Sequence, residues 1–153
     1  MSTPPTARVL LLSFLALAPL AGCSWLTTEG ELQTYAGEWC TLRGLGASGL
    51  PRTSDRYVGL RLFDEGGTLN GTGSTKRPGS DVIHLSRFRG SREVGQAVLE
   101  VTDLDPEAED KGPVFTLVVR LVGERDMEGT ISGDPGMAGP ITLVRLGPRC
   151  FYE

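Results

Sequence analysis

Three cysteines, a single histidine and a run of carboxylates are the residues of this chain whose types could do chemistry. Cys23 closes an apolar run, Cys40 lies early in the body and Cys150 lies near the end. A thiolate is the strongest nucleophile among the small side chains, and two thiols pair in an oxidising compartment. His84 has no second histidine with which to hold zinc, and no Gly-x-Ser-x-Gly elbow offers it a serine, so it reads as a half-exposed strand residue. DLDPEAEDKG, 103–112, alternates carboxylates as calcium ligands do. A calcium loop wants Gly sixth and Glu twelfth, where this chain has Ala108 and Val114, so the segment reads as a solvated loop. GLGASG, 44–49, spells the glycine pattern of a pyrophosphate cradle, yet LPRTSD follows it instead of a helix, and a flexible loop is the reading. Lys76, Arg77, Arg87, Arg89 and Arg92 form a basic set, suited to anionic headgroups or to a solvated rim. Acid, base and nucleophile nowhere converge, so a non-enzymatic protein with no cofactor and no metal is expected.

The segment before Cys23 gives that thiol a use. Arg8 precedes VLLLSFLALAPLAG, Val9 to Gly22. The apolar part is too short to span a bilayer and has the layout of a secretory signal. It ends Leu20-Ala21-Gly22-Cys23, which resembles the lipobox of bacterial lipoproteins. The resemblance implies cleavage before Cys23, a diacylglycerol thioether on its sulfur and an acylated new amino terminus (a palmitate-type anchor). Two or three acyl chains hold a protein stably where one would not. It also implies a location in the bacterial cell envelope, at the outer membrane if the host has one. The domain reading is then a signal peptide at 1–22, a lipidated linker at 23–35 with a possible helical turn over Thr28–Gln33, and one domain at 36–153.

With Cys23 acylated, Cys40 and Cys150 remain, and an oxidising envelope lets them pair. The bridge would close a loop of about 110 residues, nominally worth about 4–5 kcal/mol. The alternative is two free thiols in a reducing compartment. The net charge of −4 makes the chain a poor nucleic-acid binder.

The elements that must position these residues are strands. With 21 Gly and 10 Pro, punctuation is frequent, and no window keeps a 3.6-residue period. Alternation predicts eight strands, at Glu38–Leu42, Tyr57–Phe63, Thr68–Ser74, Val82–Arg89, Val94–Thr102, Val114–Val122, Asp126–Ser132 and Ile141–Leu146. RLFDEGGTLNGTGS (61–74) and RLVGERDMEGTIS (120–132) echo each other as strand, turn and apolar-x-Gly-Thr, which suggests a meander of similar hairpins. Such a meander closes into an up-and-down barrel or folds into a sandwich. The barrel is favoured: closure makes the first and last strands neighbours, with Cys40 on one and Cys150 just past the other.

LQTYAGEWC then resembles the opening of lipocalins and other calycins, a helical turn followed by Gly-x-Trp. The resemblance implies that Trp39 stops one barrel end beneath a base from the last strand, Arg145 first and Arg149 second. It implies also that a long loop, 43–56, lies over the other end. A guanidinium on an indole is a cation–π contact. Avidins share a helix-free barrel, and GTLNGTGS is similar to their second hairpin, but only Trp39 and Trp25 are present, so biotin is not expected.

The fold class is therefore an all-β, eight-stranded antiparallel up-and-down barrel behind a cleaved signal helix. The inward list is Trp39, Val58, Leu60, Leu62, Leu69, Ile83, Leu85, Leu99, Val101, Phe115, Leu117, Val119, Met127, Ile131, Ile141, Leu143 and Arg145. An apolar lumen suits a small hydrophobic ligand, and Gly71 and Gly129 would leave room for one. The alternative functions are a protein-interaction module, such as an inhibitor of envelope proteases, and a purely structural barrel with a filled core. The expected partners are the membrane, through the acyl chains, and a hydrophobic ligand or an envelope protein.

Overall fold

The computed structural model describes residues 34–151. Cys23, the signal segment and the helical turn expected over Thr28–Gln33 lie outside them. Eight strands follow in chain order: β1 Gly37–Thr41, β2 Tyr57–Glu65, β3 Thr68–Lys76, β4 His84–Glu93, β5 Gln96–Asp103, β6 Phe115–Val122, β7 Asp126–Ser132 and β8 Gly139–Arg145. Each pairs antiparallel with the next, and β1 pairs with β8, so the sheet is a closed barrel. A three-residue 3-10 turn, Pro148–Cys150, follows β8.

Chemistry at the turns sets this order. Gly66 and Gly67 both take positive φ, 64° and 95°, as a two-residue hairpin between right-twisted strands requires. Val94, expected to open the fifth strand, stands in the next tight turn instead and is fully exposed. Short turns and the chain entry at Thr34–Ala36 share one end of the barrel. The longer connections, 42–56, 77–83, 104–114 and 133–138, share the other.

Side chains alternate in and out. Val58, Leu60, Leu62, Leu69, Leu99, Val101, Phe115, Leu117, Val119, Met127, Ile131, Ile141 and Leu143 face inward, in one buried cluster with Trp39. The fourth strand departs from expectation. Ile83 and Leu85 face outward, 42% and 65% exposed, while His84, Ser86 and Phe88 are buried. Putting residues 83 and 85 inside would carry Arg87 and Arg89 inside with them. Burying two guanidiniums costs far more than exposing two aliphatic side chains. The observed parity lets Phe88 fill the core, and Thr75 Oγ1 pairs with Ser86 Oγ at 2.8 Å inside it. A one-residue slip would lose both features. His84, read as half-exposed, is therefore 7% exposed.

Cys40 and Cys150 are joined by a disulfide with Cα atoms 6.0 Å apart. The tail folds back over the outside of β1 and β8, where Cys40, Leu45, Tyr57, Val144 and Cys150 make a second, smaller core. The 43–56 loop is drawn to this tail. Arg43 N–H donates to Arg149 O and Leu45 N–H to Cys150 O, at 2.9 and 2.8 Å.

Candidate functional site

The lumen is the first place to look for a site. Its candidate residues Leu60, Leu62, Leu69, Leu99, Phe115, Leu117, Met127, Ile141 and Leu143 are all 5% exposed or less. Leu69, Phe88, Leu99, Leu117, Met127 and Leu143 are 0% exposed to the nearest per cent. An atom lining a void large enough for water would have some accessible surface. These walls therefore fill their own interior, as a barrel of this strand number permits. Gly71 and Gly129 do not leave room. A Cβ at Gly71 would run into the Arg61 carbonyl, and one at Gly129 into that of Val118. Glycine here lets strong strand coiling bring neighbouring backbones together.

Both ends of the barrel are stopped. At the chain-entry end Trp39 and Arg145 are directly opposite on β1 and β8, with the guanidinium carbon 4.5 Å from the indole centroid. Arg145 donates to the carbonyls of Glu124, Ala36 and Thr34 at 2.8, 3.1 and 3.0 Å. Trp39 Nε1–H donates to Tyr35 O at 2.9 Å. Gly37 makes the stack possible, because a side chain there would meet the guanidinium. Arg149, the second choice of base, instead lies 2.8 Å from Asp126 Oδ1.

The opposite end is closed by a residue that the alternation gave no reason to single out. Met137, in the β7–β8 loop, is fully buried with the core cluster. Asp134 shapes that loop, accepting from Gly136 and Met137 N–H at 2.9 and 3.1 Å. Arg77 grips Asp134 Oδ2 at 2.8 Å, and Arg56 donates to the carbonyls of Met137, Ala138 and Pro140. Burial alone would raise the Asp134 carboxyl; the Arg77 guanidinium and the two N–H donors outweigh it and hold it below the ordinary range. Met137, and not the 43–56 loop, enters the mouth. Residues 52–56 reach only its rim, where Lys76 Nζ donates to the carbonyls of Thr53, Arg77 and Ser80 at 3.0, 3.3 and 3.2 Å. Lys76 is 1% exposed, and burial lowers its pKa against the opposing charges of Asp55 and Asp81.

The basic set is thus dispersed: Lys76 is a staple, Arg77 a latch, Arg92 pairs with Asp64 at 3.2 Å, and Arg87 and Arg89 stand exposed on the outer wall of β4. Among the described residues no three His, Cys, Asp or Glu side chains come together as metal ligands. None of their helices is long and apolar enough to cross a membrane. GLGASG forms turns on the outer wall, with Leu45 bridged to Pro51 and Phe151.

The loop end also carries a groove of about 350 Å³ between the start of β4 and the acidic loop. Val82, Ile83, Leu85 and Ala108 supply its apolar lining, with His84, Asp103, Asp105 and Asp110 beside them. Four hydrogen bonds fix the loop wall. Leu104 N–H donates to Leu85 O at 2.9 Å, Asp103 accepts from Asp105 and Gly112 N–H, and Arg77 donates to Lys111 O at 3.0 Å. Burial would raise the Asp103 carboxyl, but those N–H donors and the nearby His84 hold it low. His84 Nε2 is 3.9 Å from Asp110 Oδ2. The inverted face of β4 that builds this groove was hidden by reading Ile83 and Leu85 as core; the Arg87–Arg89 alternation just beyond them was the available signal. Compared with protein-family models, with curated proteins and with solved structures, the chain matches none.

Proposed function

We propose that this chain is a lipoprotein of the bacterial envelope, tethered through an acylated Cys23, whose barrel is a dry scaffold holding its loop end out to a partner protein. The packing of the lumen carries the choice of a scaffold over a carrier. A hydrophobic cargo needs a space of about 300 Å³ or more, whereas six lumen side chains are 0% exposed and both ends are stopped. The apolar surface that a binding protein requires lies outside instead, on Val82, Ile83 and Leu85 at the loop end. The lipobox at Leu20–Cys23 and the oxidised Cys40–Cys150 pair both suit an envelope protein.

Native mass spectrometry of the protein purified from its own host tests both halves. The expected result is a mature chain beginning at Cys23 with two or three acyl chains, and a Cys23→Ala variant that lacks them and leaves the membrane fraction. A stoichiometric lipid retained inside the Cys23→Ala barrel would overturn the scaffold reading in favour of carriage.

A further inference from the structure

The chain entering β4 and the first residues of that strand turn aliphatic side chains to solvent, and at Leu85 the core enforces the inversion. Val82, Ile83 and Leu85 are 43%, 42% and 65% exposed while Ser86 is shut in the interior on Thr75. Isolated exposed aliphatics need no explanation, but a contiguous set lining a groove does. The groove's second wall is already fixed by Leu104, Asp103 and Arg77, so docking there would order little new chain. Its rim is predominantly acidic. Residues 103–112 carry five carboxylates against Lys111 alone, and Asp110 is 62% exposed.

From this combination we infer that the groove takes a cationic segment of a partner protein, one that sets aliphatic side chains on Val82, Ile83 and Leu85 and Lys or Arg against Asp105 and Asp110. The inference rests on the scaffold reading above and names the partner's chemistry. An apolar centre with a charged border is the anatomy of a protein interface, and a predominantly acidic rim selects basic groups. A second copy docked symmetrically would set acidic rim against acidic rim, and an anionic bilayer would be repelled in the same way. Three aliphatic side chains along the groove wall suit a polypeptide better than a small amine.

The test uses the full chain and a fluorescent decapeptide alternating Lys with Val, with a central Pro to keep it monomeric, followed by anisotropy at low and high salt. Control peptides replace Lys by Glu, or Val by Ser. The Lys–Val peptide is expected to bind at least about tenfold more tightly than either control. Leu85→Ser should weaken it about tenfold, and Asp105→Asn/Asp110→Asn should weaken it similarly and flatten its salt dependence. Glu65→Gln/Glu124→Gln, an equal change of charge at the Trp39 end, should bind as the parent does. These positions are exposed, and an unchanged thermal melt checks that each variant folds. Equal binding of the Lys–Ser peptide, or indifference to Leu85→Ser, overturns the inference, as does no binding at all. Leu85-dependent binding of the Glu–Val peptide overturns the cationic chemistry while leaving the scaffold reading intact. A lipid retained in the lumen removes both.

Discussion

Arg145 shows how much a single side chain settles here. It stacks on Trp39 and also ties three backbone carbonyls from two segments. Arg145→Ala is expected to cost about 2–4 kcal/mol, the sum of a lost cation–π contact and unpaired carbonyls, read as a fall in the urea midpoint. Arg145→Lys should recover little of it, because an ammonium cannot fork to three carbonyls. Trp39 and its last-strand base were legible only through the likeness of LQTYAGEWC to the opening of calycins. Met137 and Lys76 were not. Met137 sits in a loop where alternation says nothing about direction, and Lys76 is buried only because three loop carbonyls converge on its ammonium. A sequence shows no such convergence.

At the scale of the element, β4 is where sequence and structure part. Seven strands present the face expected of them, because their apolar residues alternate without competition. In β4 two alternations overlap, Ile83–Leu85 on one face and Ser86–Phe88 on the other, and the arginines at 87 and 89 decide between them. The buried Thr75–Ser86 pair makes that decision testable. Ser86→Ala alone leaves a buried hydroxyl unpaired and should cost about 1–3 kcal/mol, whereas Thr75→Val/Ser86→Ala should cost less than Ser86→Ala does. Additive losses in a double-mutant cycle would mean that the pair does not form. The returning tail is a second element with its own test. Cys40→Ser/Cys150→Ser should lose about 2–5 kcal/mol, and amide exchange should accelerate first at Arg43 and Leu45, whose N–H groups donate to the tail.

Acid response belongs to the whole molecule, because Asp103 and Asp134 brace different loops at the same end. Both carboxyls are held below their ordinary values by donors that outweigh their burial. The unfolded chain therefore takes up protons at these sites before the folded one does. The stability they contribute is complete above about pH 4–5, near the unfolded carboxylate range, and is lost as pH falls through their lowered folded values. Thermal melts from pH 7 downward should show this loss, and Asp134→Asn should start less stable at pH 7 and show a shallower fall below about pH 4. Closure of the ladder between β1 and β8 has a different reach. A sheet joined to itself exposes no row of unsatisfied amides and carbonyls to another chain. On the proposal that Cys23 is acylated, the tether would gather the protein into a two-dimensional layer, where collisions with its own kind are constant. Such a cylinder can crowd against its neighbours without offering any of them a seam to stack on.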